Sequence, residues 1–305
     1  MSTLGMIGLG QMGLPMSRNL IEAGHTVVGY RRGDASAFAA LGGTPAGSAR
    51  EVAERCDVVF SCIPDDAALE AIVSGPEGIA RGDLAGKLLV ELSTLSGHAK
   101  SLQARRIEDA GGRMLDGAIS GLPRMVAERQ GVFFVSGEEN SFESVKQYLD
   151  ALSSKVFFMG AFGNAVNAKL CANMLVAINI ASSAEALAFG SKLGIPPERL
   201  VAALKDGAGA SLQFTARAGR MVRGDWDQVM GSTALLNKDV HLIEAKAREA
   251  DCPVPLLDAA AQIYEQAMER GYGQKDVAAI YAVVADAAGV SVPVAANENR
   301  NPEVR

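Results

Sequence analysis

Three glycines near the amino terminus restrict what the first half of the chain can fold into. Gly8, Gly10 and Gly13 follow a short apolar run, residues 4–7, and precede a helical pattern at residues 15–22. A strand that turns into a helix through glycines at this spacing is the first unit of a Rossmann fold, an α/β architecture with a doubly wound parallel sheet. The sequence therefore predicts that fold for the amino-terminal half.

Strand-like and helical segments alternate as far as about residue 159. The strand-like runs cover residues 4–7, 26–30, 57–62, 87–91, 113–116, 132–136 and 155–158. Helical stretches such as residues 98–109 lie between most of these runs. This alternation predicts a mostly parallel sheet covered by helices on both faces, with antiparallel pairing possible for the later strands.

Beyond residue 163 the strand pattern ends and only helical patterns follow. Residues 164–193 contain no proline and predict one helix capped by Gly194, which at ~1.5 Å per residue spans roughly 45 Å. Further helices are predicted at residues 198–205, 233–249, 255–270 and 276–287. We therefore expect a Rossmann domain at 1–162, joined by this long helix to an all-helical substrate and oligomerisation domain at 163–292, then a disordered tail at 293–305.

Composition argues against several classes of protein. The net charge of −6 disfavours nucleic acid and membrane surfaces as partners, since both need clustered Lys and Arg, while local basic pairs remain possible. The four cysteines and three histidines lack metal-binding spacing, so we expect reduced thiols and no metal site. No run of 18 apolar residues occurs and the chain opens directly into a strand, so we expect neither a transmembrane helix nor a secretory signal, and a cytoplasmic location.

The glycine-rich turn predicts a dinucleotide site. Gly8 permits the tight turn, Gly10 lets a pyrophosphate approach the backbone, and Gly13 allows the helix to pack closely against the strand. Gln11 and Met12 complete this turn, and the helix that follows offers its amino-terminal N–H groups to the phosphates. We therefore expect a nicotinamide dinucleotide cofactor.

The residues after the second strand predict which dinucleotide is preferred. Arg31 and Arg32 stand there, and no carboxylate follows until Asp34. Guanidinium groups form forked, charge-assisted hydrogen bonds with a phosphate, whereas a carboxylate would accept hydrogen bonds from ribose hydroxyls. The sequence therefore favours NADP(H) over NAD(H).

Two further strand ends lie at the same edge of the predicted sheet. Ligands bind outside the carboxyl ends of strands in such sheets, so residues at these ends are expected to contact the nicotinamide half of the cofactor. The expected contacts are Cys62, Ile63 and Pro64 after one strand and Ser93 and Thr94 after the next.

A lysine near the start of the long helix is the candidate acid. Lys169 and Asn173 are four residues apart and share a helix face. The residues around Lys169 are small or apolar, which argues against a surface lysine. Because the cofactor carries the hydride, the protein must supply proton transfer at the substrate oxygen.

The chain resembles the β-hydroxyacid dehydrogenase family, which includes 3-hydroxyisobutyrate dehydrogenases and semialdehyde or glyoxylate reductases. The resemblance spans nearly the whole chain and rests on four segments in the same order. These are the cofactor signature at residues 8–20, the substrate-loop motif at 116–121, the catalytic segment at 160–173 and a later motif at 237–240.

The resemblance implies a role for individual residues. Lys169 would be the catalytic lysine and Asn173 its partner, while Ser120 and Gly121 would hold the carboxylate of a small substrate. Lys238 would lie near both the nicotinamide and the substrate. The implied reaction interconverts a β-hydroxyacid and its semialdehyde or keto form, with Lys169 as general acid and base.

The chain also departs from the family pattern. Leu122 stands where the family usually has a second glycine, so it is expected to reshape the substrate pocket. The segment from Arg124 to Gln130 is about two residues longer than usual. Arg124 could bind a second substrate anion or simply be exposed, and we favour exposure. These departures leave the identity of the hydroxyacid open.

Two other kinds of protein would fit the same architecture. Imine reductases share the architecture but generally have Asp or Tyr in place of the catalytic lysine, and Lys169 argues against them. A non-catalytic dinucleotide-binding protein would be expected to lack that lysine.

The long apolar helix has more apolar surface than one small domain covers, which predicts a homodimer or homotetramer.

Overall fold

The computed structural model describes residues 2–293, so the predicted tail, apart from Pro293, lies outside the described residues. The strands β1 to β8 are Thr3–Ile7, Thr26–Tyr30, Thr44–Pro45, Val58–Ser61, Leu88–Glu91, Arg113–Ser120, Val132–Ser136 and Lys155–Phe158. The helices α1 to α7 are Gly13–Glu22, Ser36–Ala40, Ala49–Arg55, Asp66–Ser74, Gly97–Asp109, Pro123–Ala127 and Glu139–Leu152. The helices α8 to α13 are Asn164–Lys192, Pro197–Leu204, Leu212–Arg223, Thr233–Glu249, Pro255–Glu269 and Ile280–Ala287.

The eight strands form one sheet in the order β3-β2-β1-β4-β5-β6-β7-β8. All neighbours pair in parallel except β6 and β7, which pair antiparallel, so both the doubly wound sheet and the antiparallel later strand are confirmed. The strand order reverses direction between β1 and β4, and ligands bind at such a switch point. Two neighbouring strand ends therefore frame the predicted cofactor site.

Helices cover both faces of the sheet because successive strand residues point to opposite sides. On one face, Met6 and Phe60 are fully buried in a cluster with Leu20 of α1 and Val145 of α7. On the other face, a second buried cluster contains residues of α3, α4 and α5, including Val52. Burial on both sides explains why the central strands read as apolar runs in the sequence.

Three elements differ from the sequence prediction. The short edge strand β3 was not predicted, since its two residues carry no periodic signal. Strand β6 runs four residues beyond its predicted end, to Ser120, because antiparallel pairing with β7 supports Gly117 in an extended backbone. The substrate motif predicted as a loop is therefore mostly strand. Helix α10 also escaped prediction, although Ser211 caps its first turn by accepting a hydrogen bond from the Phe214 amide.

The described residues divide into two compact units, the first ending at Lys169 and the second beginning at Leu170, so the division falls within α8. In the second unit, helices α8 and α10 to α13 enclose an apolar core. The Tyr264 hydroxyl donates a hydrogen bond of 2.9 Å to the Ala177 carbonyl there. Gly194 has a φ of +82°, as expected for the residue that ends α8.

Within the described residues, α8 is the one helix long and apolar enough to cross a membrane by length and composition alone. Of its most apolar window, 44% is buried. Core helices of soluble proteins meet the same criteria of length and composition, so this helix is weak evidence for a membrane span.

Candidate active site

The glycine turn has the geometry that the spacing predicts. Gly8 has a φ of +93°, and a Cβ there would overlap the Cys62 carbonyl oxygen. A Cβ at Gly13 would overlap the carbonyl oxygen of Gly8, so only glycine lets α1 begin this close to the turn. By contrast, no described atom lies within 4 Å of a Cβ built on Gly10. The space beside Gly10 is open for a ligand that needs close approach to the backbone.

The start of α1 suits an anion. Among the described residues, no side chain caps this helix and no acidic residue lies in its first turn. The amino end of a helix presents N–H groups and partial positive charge, and both favour phosphate. The turn and α1 therefore fit the pyrophosphate of a dinucleotide.

A cleft of about 270 Å³ opens beside this turn in the first unit. It brings together seven residues predicted to bind cofactor, namely Gly8, Gly10, Arg31, Arg32, Cys62, Ile63 and Pro64. The remaining predicted cofactor residues are not in its lining; they are Gln11, Met12, Gly13, Ser93, Thr94 and Lys238. Residues that the sequence did not suggest also line the cleft, namely Ile7, Leu9, Tyr30, Ala49, Ala68, Ala71, Ile72 and Glu77. The lining contributed by α3 and α4 carries no motif, so only packing could reveal it.

Two arginines make one end of the cleft positively charged. Arg31 and Arg32 are both exposed, and the Arg31 Nη1 donates a hydrogen bond of 3.2 Å to the Leu9 carbonyl. The carboxylate of Asp34 accepts hydrogen bonds from the Ser36 hydroxyl and amide at 2.6 and 2.9 Å, which lower the pKa of Asp34. This carboxylate is thus bound at the start of α2, and it is not part of the cleft lining.

Cys62 and Ser93 shape the wall of the cleft. Burial raises the pKa of the Cys62 thiol to about 12, so this thiol stays protonated at neutral pH and is not a nucleophile. The Ser93 hydroxyl is buried and accepts a hydrogen bond of 2.7 Å from the Ile63 amide. Ser93 therefore supports the wall of the cleft from behind.

The substrate motif lies at the carboxyl end of β6. Ser120 is the last residue of β6, pairs with Val132 of β7 and is half-buried. Gly121 follows with a φ of +154°, and Leu122 leads into α6. Arg124 is exposed, as expected, and donates a hydrogen bond of 2.7 Å to Glu128.

The motif is also bonded to the helix that carries Lys169. The Asp116 Oδ2 accepts hydrogen bonds of 3.0 Å from the Val166 amide and from the Ser136 hydroxyl. The same Ser136 hydroxyl accepts a hydrogen bond of 2.9 Å from the Ala165 amide. Two side chains of the sheet thus hold the first turn of α8, and Lys169 follows within one turn, 9% exposed. Asp116 was part of a sequence motif, but its role in holding α8 was missed.

In the second unit, Asn173 and Lys238 share a partner. Asn173 is 6% exposed, and its Nδ2 donates a hydrogen bond of 2.6 Å to the Oδ2 of Asp239. The Lys238 ammonium lies 3.3 Å from the other carboxylate oxygen of Asp239. Asp239 was not predicted as a site residue, because its partner lies 66 residues away in the chain.

Two family models match the chain in succession. The NAD binding domain of 6-phosphogluconate dehydrogenase matches residues 3–160, which is more than half of the chain. The second model, the NAD-binding region of NADP-dependent 3-hydroxyisobutyrate dehydrogenase, matches residues 163–284. Both matches support a nicotinamide dinucleotide as the cofactor.

Known proteins resemble the chain over nearly its full length. L-threonate dehydrogenase of Cupriavidus necator is 31% identical, covering 91% of this chain and 94% of that protein. The mitochondrial 3-hydroxyisobutyrate dehydrogenase of Rattus norvegicus is also 31% identical, covering 91% of this chain and 85% of that protein.

Solved structures agree with this relationship. The crystal structure of a 3-hydroxyisobutyrate dehydrogenase from Salmonella typhimurium has a TM-score of 0.84 and 28% identity, covering 93% of this chain and 100% of that one. An imine reductase from Myxococcus stipitatus has a TM-score of 0.64 and 24% identity, covering 92% of this chain and 98% of that one, and shares the fold alone. The motifs, the sheet order and these matches identify the chain as a member of the β-hydroxyacid dehydrogenase family, oxidoreductases that use a nicotinamide dinucleotide.

Proposed function

We propose that the chain is an NADP-dependent oxidoreductase that interconverts a small β-hydroxyacid and its semialdehyde or keto form. The bound nicotinamide supplies or accepts the hydride, and the chain supplies the proton and binds the substrate. The observation that carries the proposal is the position of Lys169. The first turn of its helix is hydrogen-bonded to Asp116, and Asp116 lies in the strand that ends at Ser120 of the substrate motif.

Lys169 acts as the general acid in the reductive direction. An ammonium group can donate a proton to the carbonyl oxygen as that oxygen gains negative charge. Lys169 is only 9% exposed, which limits competition from water at this step. In the oxidative direction the same nitrogen accepts the proton of the substrate hydroxyl.

The substrate is a small carboxylate. The Ser120 hydroxyl and the Gly121 amide, at the end of β6, can donate hydrogen bonds to that carboxylate. Asn173 orients the substrate, and Asp239 fixes the Asn173 amide group through their 2.6 Å hydrogen bond. By the family resemblance, Lys238 would contribute a further positive charge to the substrate site.

NADP(H) is preferred over NAD(H). Arg31 and Arg32 line the cleft, whereas the nearest carboxylate in sequence, that of Asp34, is bound to Ser36. Each charge-assisted hydrogen bond to the 2′-phosphate contributes about 1.5–3 kcal/mol, which gives at least a tenfold preference.

The proposal is tested by NADPH oxidation with a panel of carbonyl acids. The panel contains glyoxylate, succinic semialdehyde, tartronate semialdehyde and methylmalonate semialdehyde. We expect turnover with at least one of them and a loss of about 100-fold or more in kcat for Lys169→Ala, since proton transfer typically contributes 10²–10⁴-fold.

Lys192→Ala is the matched control, because Lys192 is an exposed lysine in the last turn of the same helix. It should retain wild-type kcat. Wild-type kcat in Lys169→Ala would refute the catalytic role. Formation of an amine from a ketone and NADPH, without turnover of any hydroxyacid or semialdehyde, would favour an imine reductase instead.

A further inference from the structure

Lys100, Glu91 and Asp116 form a completely buried cluster of ionisable side chains in the first unit. The proposed reaction gives no role to Lys100 or Glu91. The Lys100 ammonium lies 2.7 Å from the Oδ1 of Asp116 and 2.8 Å from the Oε2 of Glu91. It also donates a hydrogen bond of 2.7 Å to the Gly117 carbonyl. All three charged side chains have no solvent exposure.

Such a cluster is poorly explained by stability alone. Moving charges out of water is costly, and replacing a buried ion pair with apolar residues of similar volume is often neutral or stabilising. This cluster also contains two carboxyl groups for one ammonium group. A role in fixing the positions of neighbouring groups is therefore a better explanation.

The atoms around the cluster connect it to two parts of the site. The Asp116 Oδ2 holds the first turn of α8 through the Val166 amide and Ser136. On the other side, the Oε1 of Glu91 accepts a hydrogen bond of 2.9 Å from the Ser93 amide. The Ser93 hydroxyl in turn accepts from the Ile63 amide, at the wall of the cofactor cleft. An unbroken chain of polar contacts thus runs from the cleft wall to α8.

We infer that Lys100 is a positioning residue that holds Asp116 against the first turn of α8 and thereby orients Lys169; this inference rests on the proposed function. Lys100 acts through Asp116: its ammonium holds the Oδ1 of the carboxyl group, while the Oδ2 accepts a hydrogen bond from the Val166 amide of α8.

The direction of the Glu91 pKa shift reflects the burial of this cluster. Burial raises the pKa of Glu91, although Lys100 opposes the shift. Removal of Lys100 would leave two buried carboxyl groups without their cation, and Asp116 without the group that holds its Oδ1.

Hydrogen exchange of the α8 amides tests the positioning without any assay of activity. Ser136→Ala removes one of the two groups that hold the helix, and Lys100→Met removes the ammonium. We expect amide exchange at Ala165 and Val166 in the full chain to rise about twofold to tenfold in Ser136→Ala, and at least as much in Lys100→Met.

Ser141→Ala is the matched control. Ser141 is as buried as Ser136 and is also hydrogen-bonded, to Arg113 and Glu138, but it has no contact with the Lys100 cluster. Exchange at the α8 amides should be unchanged in this variant. Equal exchange in Ser136→Ala and Ser141→Ala would overturn the inference, and so would unchanged exchange in a folded Lys100→Met. If Lys100→Met does not fold, Asp116→Asn, which removes the charge that Lys100 pairs with, is measured in its place, and unchanged exchange in that variant would overturn the inference.

Kinetics then test whether the positioning matters to Lys169. We expect Ser136→Ala to lower kcat about threefold to tenfold and Lys100→Met to lower it more, with the KM for NADPH within about twofold of wild type. Because both variants loosen the same first turn of α8, the double variant should lose less than the product of the two single losses.

The two proposals fail in different ways. If the wild type reduces none of the carbonyl acids, the proposed function fails and hydrogen exchange still tests the link from Lys100 to α8. If the wild type is active while kcat falls equally in Ser136→Ala and Ser141→Ala, the positioning role is wrong and the proposed function stands.

Discussion

Single residues account for the cofactor site in different ways. Gly8 and Gly13 are required by the protein itself, because a Cβ at either would overlap a carbonyl oxygen. Gly10 has open space beside it, which leaves room for a ligand to approach the backbone. Arg31 and Arg32 are exposed and lie at the cleft, where they are available to a phosphate.

A charge reversal at Arg31 tests the choice of cofactor. Arg31→Glu should raise the KM for NADPH at least tenfold and leave the KM for NADH unchanged or lower, because a carboxylate repels the 2′-phosphate and accepts from ribose hydroxyls. Steady-state kinetics with both cofactors measure this. Arg105→Glu, an exposed charge reversal on α5 outside the cleft, should change neither value. Equal increases for NADPH and NADH in Arg31→Glu would refute the phosphate contact.

At the scale of elements, regular segments were predictable and their connections were not. The helix Thr233–Glu249 and the strand Thr26–Tyr30 have the predicted bounds, because side-chain periodicity is a local property. Strand β6 extends past its predicted end because β7 pairs with it, and β7 lies beyond an intervening helix. The buried contact between Glu91 at the end of β5 and Lys100 of α5 is likewise a product of packing.

That buried contact predicts a pH dependence of stability. Burial raises the pKa of Glu91, so the folded state holds its proton to higher pH than the unfolded chain does. The resulting stabilisation is complete below the ordinary glutamic acid pKa of 4.5 and is lost as pH rises through the raised pKa. Glu91→Gln lacks this titration and should gain stability relative to wild type as pH rises through that window, by about 1.4 kcal/mol for each unit of the pKa shift.

Urea unfolding of both proteins at a series of pH values measures the difference in free energy of unfolding. Glu108→Gln is the control, because Glu108 is exposed on the same helix as Lys100. Its difference from wild type should stay nearly constant with pH. A constant difference for Glu91→Gln as well would show that Glu91 titrates normally in the folded state.

At the scale of the whole molecule, the second unit leaves large apolar side chains uncovered. Leu175, Phe189 and Leu193, in or just after α8, are 63%, 67% and 63% exposed. Exposed apolar patches are typical of surfaces that bind a partner. We therefore propose a homodimer or homotetramer in which these residues are buried between copies.

Light scattering tests this assembly. The wild type should have a mass at least twice the chain mass of 31.8 kDa. Phe189→Glu should lower the mass toward that of one chain, since burying an unpaired carboxylate between copies is unfavourable. Phe157→Glu, at an exposed site on β8, should keep the wild-type mass. A wild-type mass of one chain would refute the proposed assembly.

The sequence by itself determined the α/β class, the glycine turn, the cofactor class and the long helix that carries Lys169. Each of these depends on spacing within a few residues, and backbone geometry converts such spacing directly into turns and periodic faces. Only the tertiary structure decided which helices wall the cleft and which buried charges meet. Asp116 bonds to Val166 across 50 residues and to Lys100 across 16, and neither contact has a local pattern, because packing rather than spacing brings these atoms together.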